Sequence, residues 1–118
     1  MRQEYPQLGL TVRWSLADAP VDTLDRLREY VRDSSHERFE GMPGLAFKTW
    51  RARAGEWFEG CYVFADSAER ESFQDNFPED PATWPGSVII GAPPILVEPW
   101  EALAVAEGGA GFTSRAGY

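Results

Sequence analysis

Residues 44–67, GLAFKTWRARAGEWFEGCYVFADS, decide the fold. Two runs of aromatic and β-branched residues flank a short Ala54-Gly55 turn, which predicts a β-hairpin with strands over Ala46–Arg53 and Glu56–Ala65. On the first strand Leu45, Phe47 and Thr49 should oppose Ala46, Lys48 and Trp50. On the second, Trp57, Glu59, Cys61 and Val63 should oppose Phe58, Gly60, Tyr62 and Phe64. Both faces carry apolar groups, so both are expected to be covered.

Working outward, LGLTVRWSL (8–16) alternates, with Leu8, Leu10, Val12, Trp14 and Leu16 on one side, and predicts a strand with one buried face. ADAPVDTLDRLREYVRDSSHERFEG (17–41) predicts a helix. Pro20 suits its first turn, and Asp18, Asp22 and Asp25 lie near the positive end of its dipole. Leu24, Leu27, Tyr30 or Val31, and Ser34 or Ser35 give one stripe. Asp33, Ser34 and Ser35 weaken the helix, which is expected to fray or turn around His36 before Gly41, Pro43 and Gly44 stop it.

Downstream of the hairpin, DSAERESFQDNF (66–77) reads as a second helix with Asp66 or Ser67 as N-cap, ended by Pro78. SVIIGAPPILVEPW (87–100) reads as a strand bent at Gly91 to Pro94. Glu101 to Glu107 predicts a short helix closing a single domain over residues 1–107. Residues 108–118 form a Gly-rich tail, expected to be mobile or ordered by a partner. The order β-α-β-β-α-β predicts a ferredoxin-like α+β subunit with an antiparallel sheet. Helices would cover one face of that sheet, and a second copy of the chain in a symmetric homodimer would cover the other.

The chain has 118 residues, a net charge of −8 and only 11 basic side chains, scattered, which argues against a nucleic-acid partner. The single Cys61 cannot form an intramolecular disulfide and reads as an inert core residue. The N-terminal residues lack a signal-peptide pattern, and no run approaches the roughly 20 apolar residues that span a membrane. A cytoplasmic location is the default expectation.

PGLAFKTW (43–50) followed by EGCYVFAD (59–66) carries a family likeness, in Gly44-Leu45, Lys48, Trp50, Glu59-Gly60, Tyr62, Phe64 and Asp66. It resembles the YdhR-like mono-oxygenases of the dimeric α+β barrel superfamily, which includes the antibiotic-biosynthesis monooxygenases. The likeness in element order runs from about Leu8 to Pro99, while the Gly-rich tail and NFPEDPATWPG (76–86) have no counterpart. The resemblance implies a homodimer with an apolar pocket between sheet and helices in each subunit. It also implies oxidation of a polycyclic phenol or quinol by molecular oxygen, without flavin, haem or metal. Other branches degrade haem or have no established activity.

Dioxygen reacts slowly with ordinary organic molecules because of its spin state, so chemistry without a cofactor needs a substrate that donates electrons once deprotonated. The site must exclude water, favour the substrate anion and hold oxygen-centred charge. Trp14, Trp50, Tyr62, Phe64, Phe73 and Trp84 are candidate pocket walls, each of which could equally be plain core. His36, the only histidine, titrates near neutral pH and is a candidate catalytic group with Tyr62; its alternative is an exposed helix end. Arg38 and Asn76 are candidate substrate contacts, against a solvated cation and a capping amide.

No zinc-ligand spacing, phosphate loop or serine-nucleophile motif is present. Asp66, Glu69, Glu71, Glu79 and Asp80 read as solvated charges. The expected function is cofactor-independent monooxygenation of an aromatic, polyketide-type metabolite of secondary metabolism. The alternatives are a non-catalytic dimeric barrel that binds a small apolar ligand, or a relative that holds haem through His36.

Overall fold

The computed structural model describes residues 5–117. Strands β1 (Gly9–Ser15), β2 (Leu45–Arg53), β3 (Trp57–Phe64) and β4 (Leu96–Trp100) form one four-stranded sheet in the order β2-β3-β1-β4, with every neighbouring pair antiparallel. The chain is thus an α+β domain whose sheet is the frame for everything else. The hairpin forms where the sequence places it, and so does β1, with Leu10, Val12 and Trp14 buried as the alternation requires.

One face of the sheet meets the helices. Leu10, Val12, Trp14, Phe58, Tyr62 and Phe64 from the strands share a single core cluster with Leu27, Phe39, Trp84 and Ile90. Helix α1 (Thr23–Tyr30) does not fray at Asp33. It opens into a π-helical turn over Val31–Ser35 and resumes as α2 (His36–Phe39). The turn has a geometric use. At about 100° per residue, Leu27 and Phe39 would point roughly 120° apart on a regular helix. One extra residue absorbed in the wider turn brings them to within about 20°. Leu27, Ser35 and Phe39 accordingly all face the core. Weak helix formers at Asp33, Ser34 and Ser35 make that widening cheap.

Helix α3 (Ser67–Asp75) starts where expected: the Asp66 carboxylate accepts a hydrogen bond from the Glu69 backbone N–H at 2.8 Å. The bent strand expected over 87–100 is instead two elements. Pro85–Ile90 is a short helix, α4, and only Leu96–Trp100 is strand. Pro85 at the first helical position and Gly91, left-handed at φ 88°, just past the end form the helix punctuation that the apolar run conceals.

Two further expectations change. A bulge between Leu45 and Phe47 turns Leu45 to the helix face, where it packs against the core and sits opposite Phe64. Residues 101–107 form no helix and run on as irregular chain. The tail after them returns to the domain: Phe112 stacks on Phe47 at 5.8 Å, and the Ser114 hydroxyl reaches the Glu40 carboxylate.

Among the described residues, no helix packs on the second face of the sheet. Trp100 lies over Gly9, where a side chain would collide with its ring, and donates from Nε1 to Thr11 Oγ1 at 3.0 Å. Cys61 is half-buried on this face rather than in the helix-side core.

Candidate functional site

The hairpin register aims Lys48, Trp50, Tyr62 and Phe64 at the helices, since Lys48 pairs with Tyr62 and Trp50 with Gly60. Helix α2 adds Phe39, and α3 adds Phe73 with Phe77 just beyond its end. The rings touch in sequence. Trp50 lies 5.9 Å from Phe39, Phe39 lies 5.7 Å from Tyr62, and Tyr62 lies 5.2 Å from Phe73. Phe73 then meets Phe77 at 4.7 Å and Phe77 meets Trp84 at 4.5 Å. Edge-on and tilted contacts dominate, the arrangement that aromatic quadrupoles prefer.

Phe64, Phe73, Phe77 and Met42 floor a half-open cleft of about 270 Å³ between α2, the Gly41–Gly44 turn and α3. Arg38, Glu69, Ser72 and Asn76 supply its polar groups. A cation and a carboxylate at the rim of an aromatic floor suit a small ring that carries an ionisable hydroxyl or acid.

Four of the residues singled out from sequence meet here: Arg38, Phe64, Phe73 and Asn76. Asn76 also caps α3, its Nδ2 donating to the Ser72 carbonyl at 2.8 Å. Tyr62 stands behind Phe64 and Phe73, and Trp84 behind Phe77, with its Nε1 donating to the Pro78 carbonyl at 2.9 Å. Trp50 is a layer further away and is pinned by an Nε1 bond to Ser35 Oγ at 3.1 Å. Trp14 belongs to a different part of the core, beside Phe58 and bonded to Ser87 Oγ at 2.9 Å. His36 does not line the cleft. Its ring lies 5.8 Å from Trp50, and Nε2 is 3.3 Å from Ser114 Oγ and 3.6 Å from the Glu40 carboxylate.

The Tyr62 phenol is buried, and burial raises its pKa above the ordinary 10.0, against a smaller opposing pull from Arg38. It is therefore a protonated hydroxyl near neutral pH and can donate a proton in a hydrogen bond but cannot serve as a ready base.

Two residues carry more of the site than sequence reading gave them. Glu69 is exposed, as its reading as a solvated helix-start charge expects, and it also lines the cleft beside Gly44. Lys48 reaches in among the aromatic rings, its Nζ 3.5 Å from the Phe39 ring centroid and 4.4 Å from those of Trp50 and Tyr62. The signal for Lys48 was available in the alternation, which put it beside Trp50 on the inward face.

Among the described residues, no three His, Cys, Asp or Glu side chains cluster as a metal centre would need. No described helix is long and apolar enough to cross a membrane. No family model, curated protein or solved structure matches the chain.

Proposed function

We propose that this protein is a ferredoxin-like subunit of a homodimeric α+β barrel that oxidises a small phenolic aromatic with molecular oxygen, without a bound cofactor. The observation that carries the reading is the cleft itself, where Arg38 and Glu69 share the rim of a floor made by Phe64, Phe73 and Phe77. Glu69 takes the phenolic proton, and Arg38 holds the anion so formed. The electron-rich ring then reduces oxygen. A carbon–oxygen bond forms as a peroxide, and loss of water leaves the quinone, with one oxygen atom kept and the other released. Tyr62 backs the wall, and His36 has no direct part in this scheme.

A cleft of about 270 Å³ lies just under the roughly 300–1,000 Å³ usual for ligand pockets, which points to a substrate of one to three rings. The half-open rim also favours a second reading, binding of a small aromatic acid or phenol without turnover, because water is poorly excluded.

Oxygen uptake by metal-stripped protein with hydroquinones, naphthols and anthrones, products checked by mass, separates the two. Saturable uptake that falls about a hundredfold in Glu69→Gln fits general-base chemistry. A flat oxygen trace with tryptophan fluorescence still titrating with the phenol would leave only the binding reading. No uptake and no fluorescence change would remove the cleft as a site.

A further inference from the structure

Lys48 is the only lysine in the chain, the other ten of its 11 basic side chains being arginines. It is the one side-chain amine that can lose its proton and act as a nucleophile, since arginine does not. The structure puts that amine against three aromatic rings, Phe39, Trp50 and Tyr62. No hydrogen bond or ion pair holds it among the described residues, and the nearest charge acting on it, Arg38, has the same sign. Arg38 is also without an ion-pair partner among the described residues. Its guanidinium lies 5.3 Å from the centroid of the same Phe39 ring that Lys48 contacts. Two cations thus face one ring with no carboxylate paired to either among the described residues, in a chain with 19 acidic residues and a net charge of −8, an arrangement that suits an anionic ligand.

Desolvation, and after it the charge of Arg38, lowers the Lys48 pKa well below the ordinary 10.5. The three ring faces pull the other way by favouring an ammonium, but they supply no hydrogen bond and no counter-charge. The side chain is half-buried, and its amine is not sealed off from solvent. The other titratable groups around it are Tyr62 on β3, which burial keeps protonated, and His36, beyond Trp50 on α2.

We propose that Lys48 is a covalent site for an aromatic aldehyde or ketone that carries an acid group, with Arg38 holding the acid. The Nζ lone pair attacks the carbonyl carbon, and a C–N bond forms as the C=O π bond opens. The resulting carbinolamine loses water to give an imine. One amine and one carbonyl go in, and one imine and one water come out, with no oxidant or reductant. Trp50, half-buried beside Lys48, borders the aryl group while Phe39 and Tyr62 stay buried behind the amine, and poor hydration favours the step that releases water. The condensation needs no oxygen, so its outcome is independent of the oxygen-uptake experiment.

The test treats the whole folded protein near neutral pH with 4-carboxybenzaldehyde or benzaldehyde, traps any imine with cyanoborohydride, and reads intact mass and peptide maps. The expected result is an adduct on Lys48 beside any on the N-terminal amine, formed roughly tenfold faster than on the same lysine in urea-unfolded protein, with a half-maximal labelling pH below that of free lysine. Arg38→Gln should slow labelling by both aldehydes, since its charge helps lower the Lys48 pKa, and should slow the carboxylated one about tenfold more than benzaldehyde. Lys48→Arg should leave only the N-terminal amine to react. An adduct confined to the N-terminal amine, or a Lys48 rate equal in folded and unfolded protein, would overturn the proposal on wild-type protein alone. Equal rates for the two aldehydes would overturn the part given to Arg38.

Discussion

The two faces of the β2–β3 hairpin each shelter one charged side chain from water, and they treat it in opposite ways. On the helix-free face, Glu59 has no exposed surface, and two guanidinium groups serve its carboxylate. Arg13 Nε donates to Oε1 at 2.8 Å and Arg51 Nε donates to Oε2 at 2.9 Å, each arginine adding a second bond from Nη2. The register makes this possible, since Arg13 and Arg51 both pair with Glu59 across neighbouring strands. On the helix face, Lys48 has rings around it and no counter-ion among the described residues. A charge satisfied on both oxygens locks three strands together and has nothing left to react with. A charge left unsatisfied costs stability and stays available for chemistry.

The sharpest way to break this contrast is Glu59→Ala. It removes the acceptor for four N–H groups on the two neighbouring strands. Arg13 and Arg51 are partly exposed and can turn to water, so the loss should be about 2–3 kcal/mol, below the roughly 3–5 of a sealed pair. Urea unfolding followed by tryptophan fluorescence measures it, and a loss under about 0.5 kcal/mol would mean the triad is ornamental. Acid offers a second view of the same group. Burial pushes the Glu59 pKa up, but the bonds from Arg51 and then Arg13 outweigh it and hold it below the ordinary 4.5. Its contribution is therefore complete above pH 4.5 and fades as pH falls through the lowered folded value. Glu59→Gln should flatten that acid limb.

Lys48→Met should act in the opposite direction. A thioether fills the same channel among Phe39, Trp50 and Tyr62 without a charge to desolvate, and a gain of about 1–2 kcal/mol near neutral pH is expected. Below pH 10.5 the unfolded chain binds this proton more tightly than the folded one, so wild-type stability should climb as pH rises toward 10.5. The variant should lose that slope. A destabilised Lys48→Met with no change in slope would show that the ammonium and the rings attract each other strongly enough to make the cage structural.

Much of this contrast was written in strict alternation. The pattern from Phe47 to Arg53 and from Trp57 to Phe64 places Lys48, Trp50, Tyr62 and Phe64 on one side and Glu59 with Arg51 on the other, and the structure keeps them there. What alternation could not convey is which long-range partner each side chain meets. Glu59 looks like an ordinary strand carboxylate until β1 supplies Arg13, forty-six residues away. Glu69 is solvated, as read, but its place beside the Gly41–Gly44 turn is a contact that local sequence does not convey. The π-helical turn at Val31–Ser35 and the helix hidden in SVII were missed for a local reason. A weak helical run and a short apolar run each fit two backbone states, and tertiary contacts choose between them: Ser35 bonding to Trp50 in one case, Ser87 to Trp14 in the other.

The smallest expected effect decides what the Lys48 result means. Thr23 is a third sheltered polar group, uncharged, at the start of α1, and its hydroxyl is the only fully buried side-chain polar atom without a hydrogen-bond partner among the described residues. Valine has the same shape and nearly the same helix propensity, so Thr23→Val removes an unsatisfied hydroxyl and little else. A gain of roughly 0.5–1 kcal/mol, independent of pH, is expected in the same urea assay. If Thr23→Val gains as much as Lys48→Met, relief of any unsatisfied polar group accounts for both, and the charge on Lys48 is not what costs the fold. If Lys48→Met gains about twice as much and alone changes the pH slope, the unpaired charge is the source of the cost. A structural cation would then have no reason to be the chain's one lysine rather than an eleventh arginine.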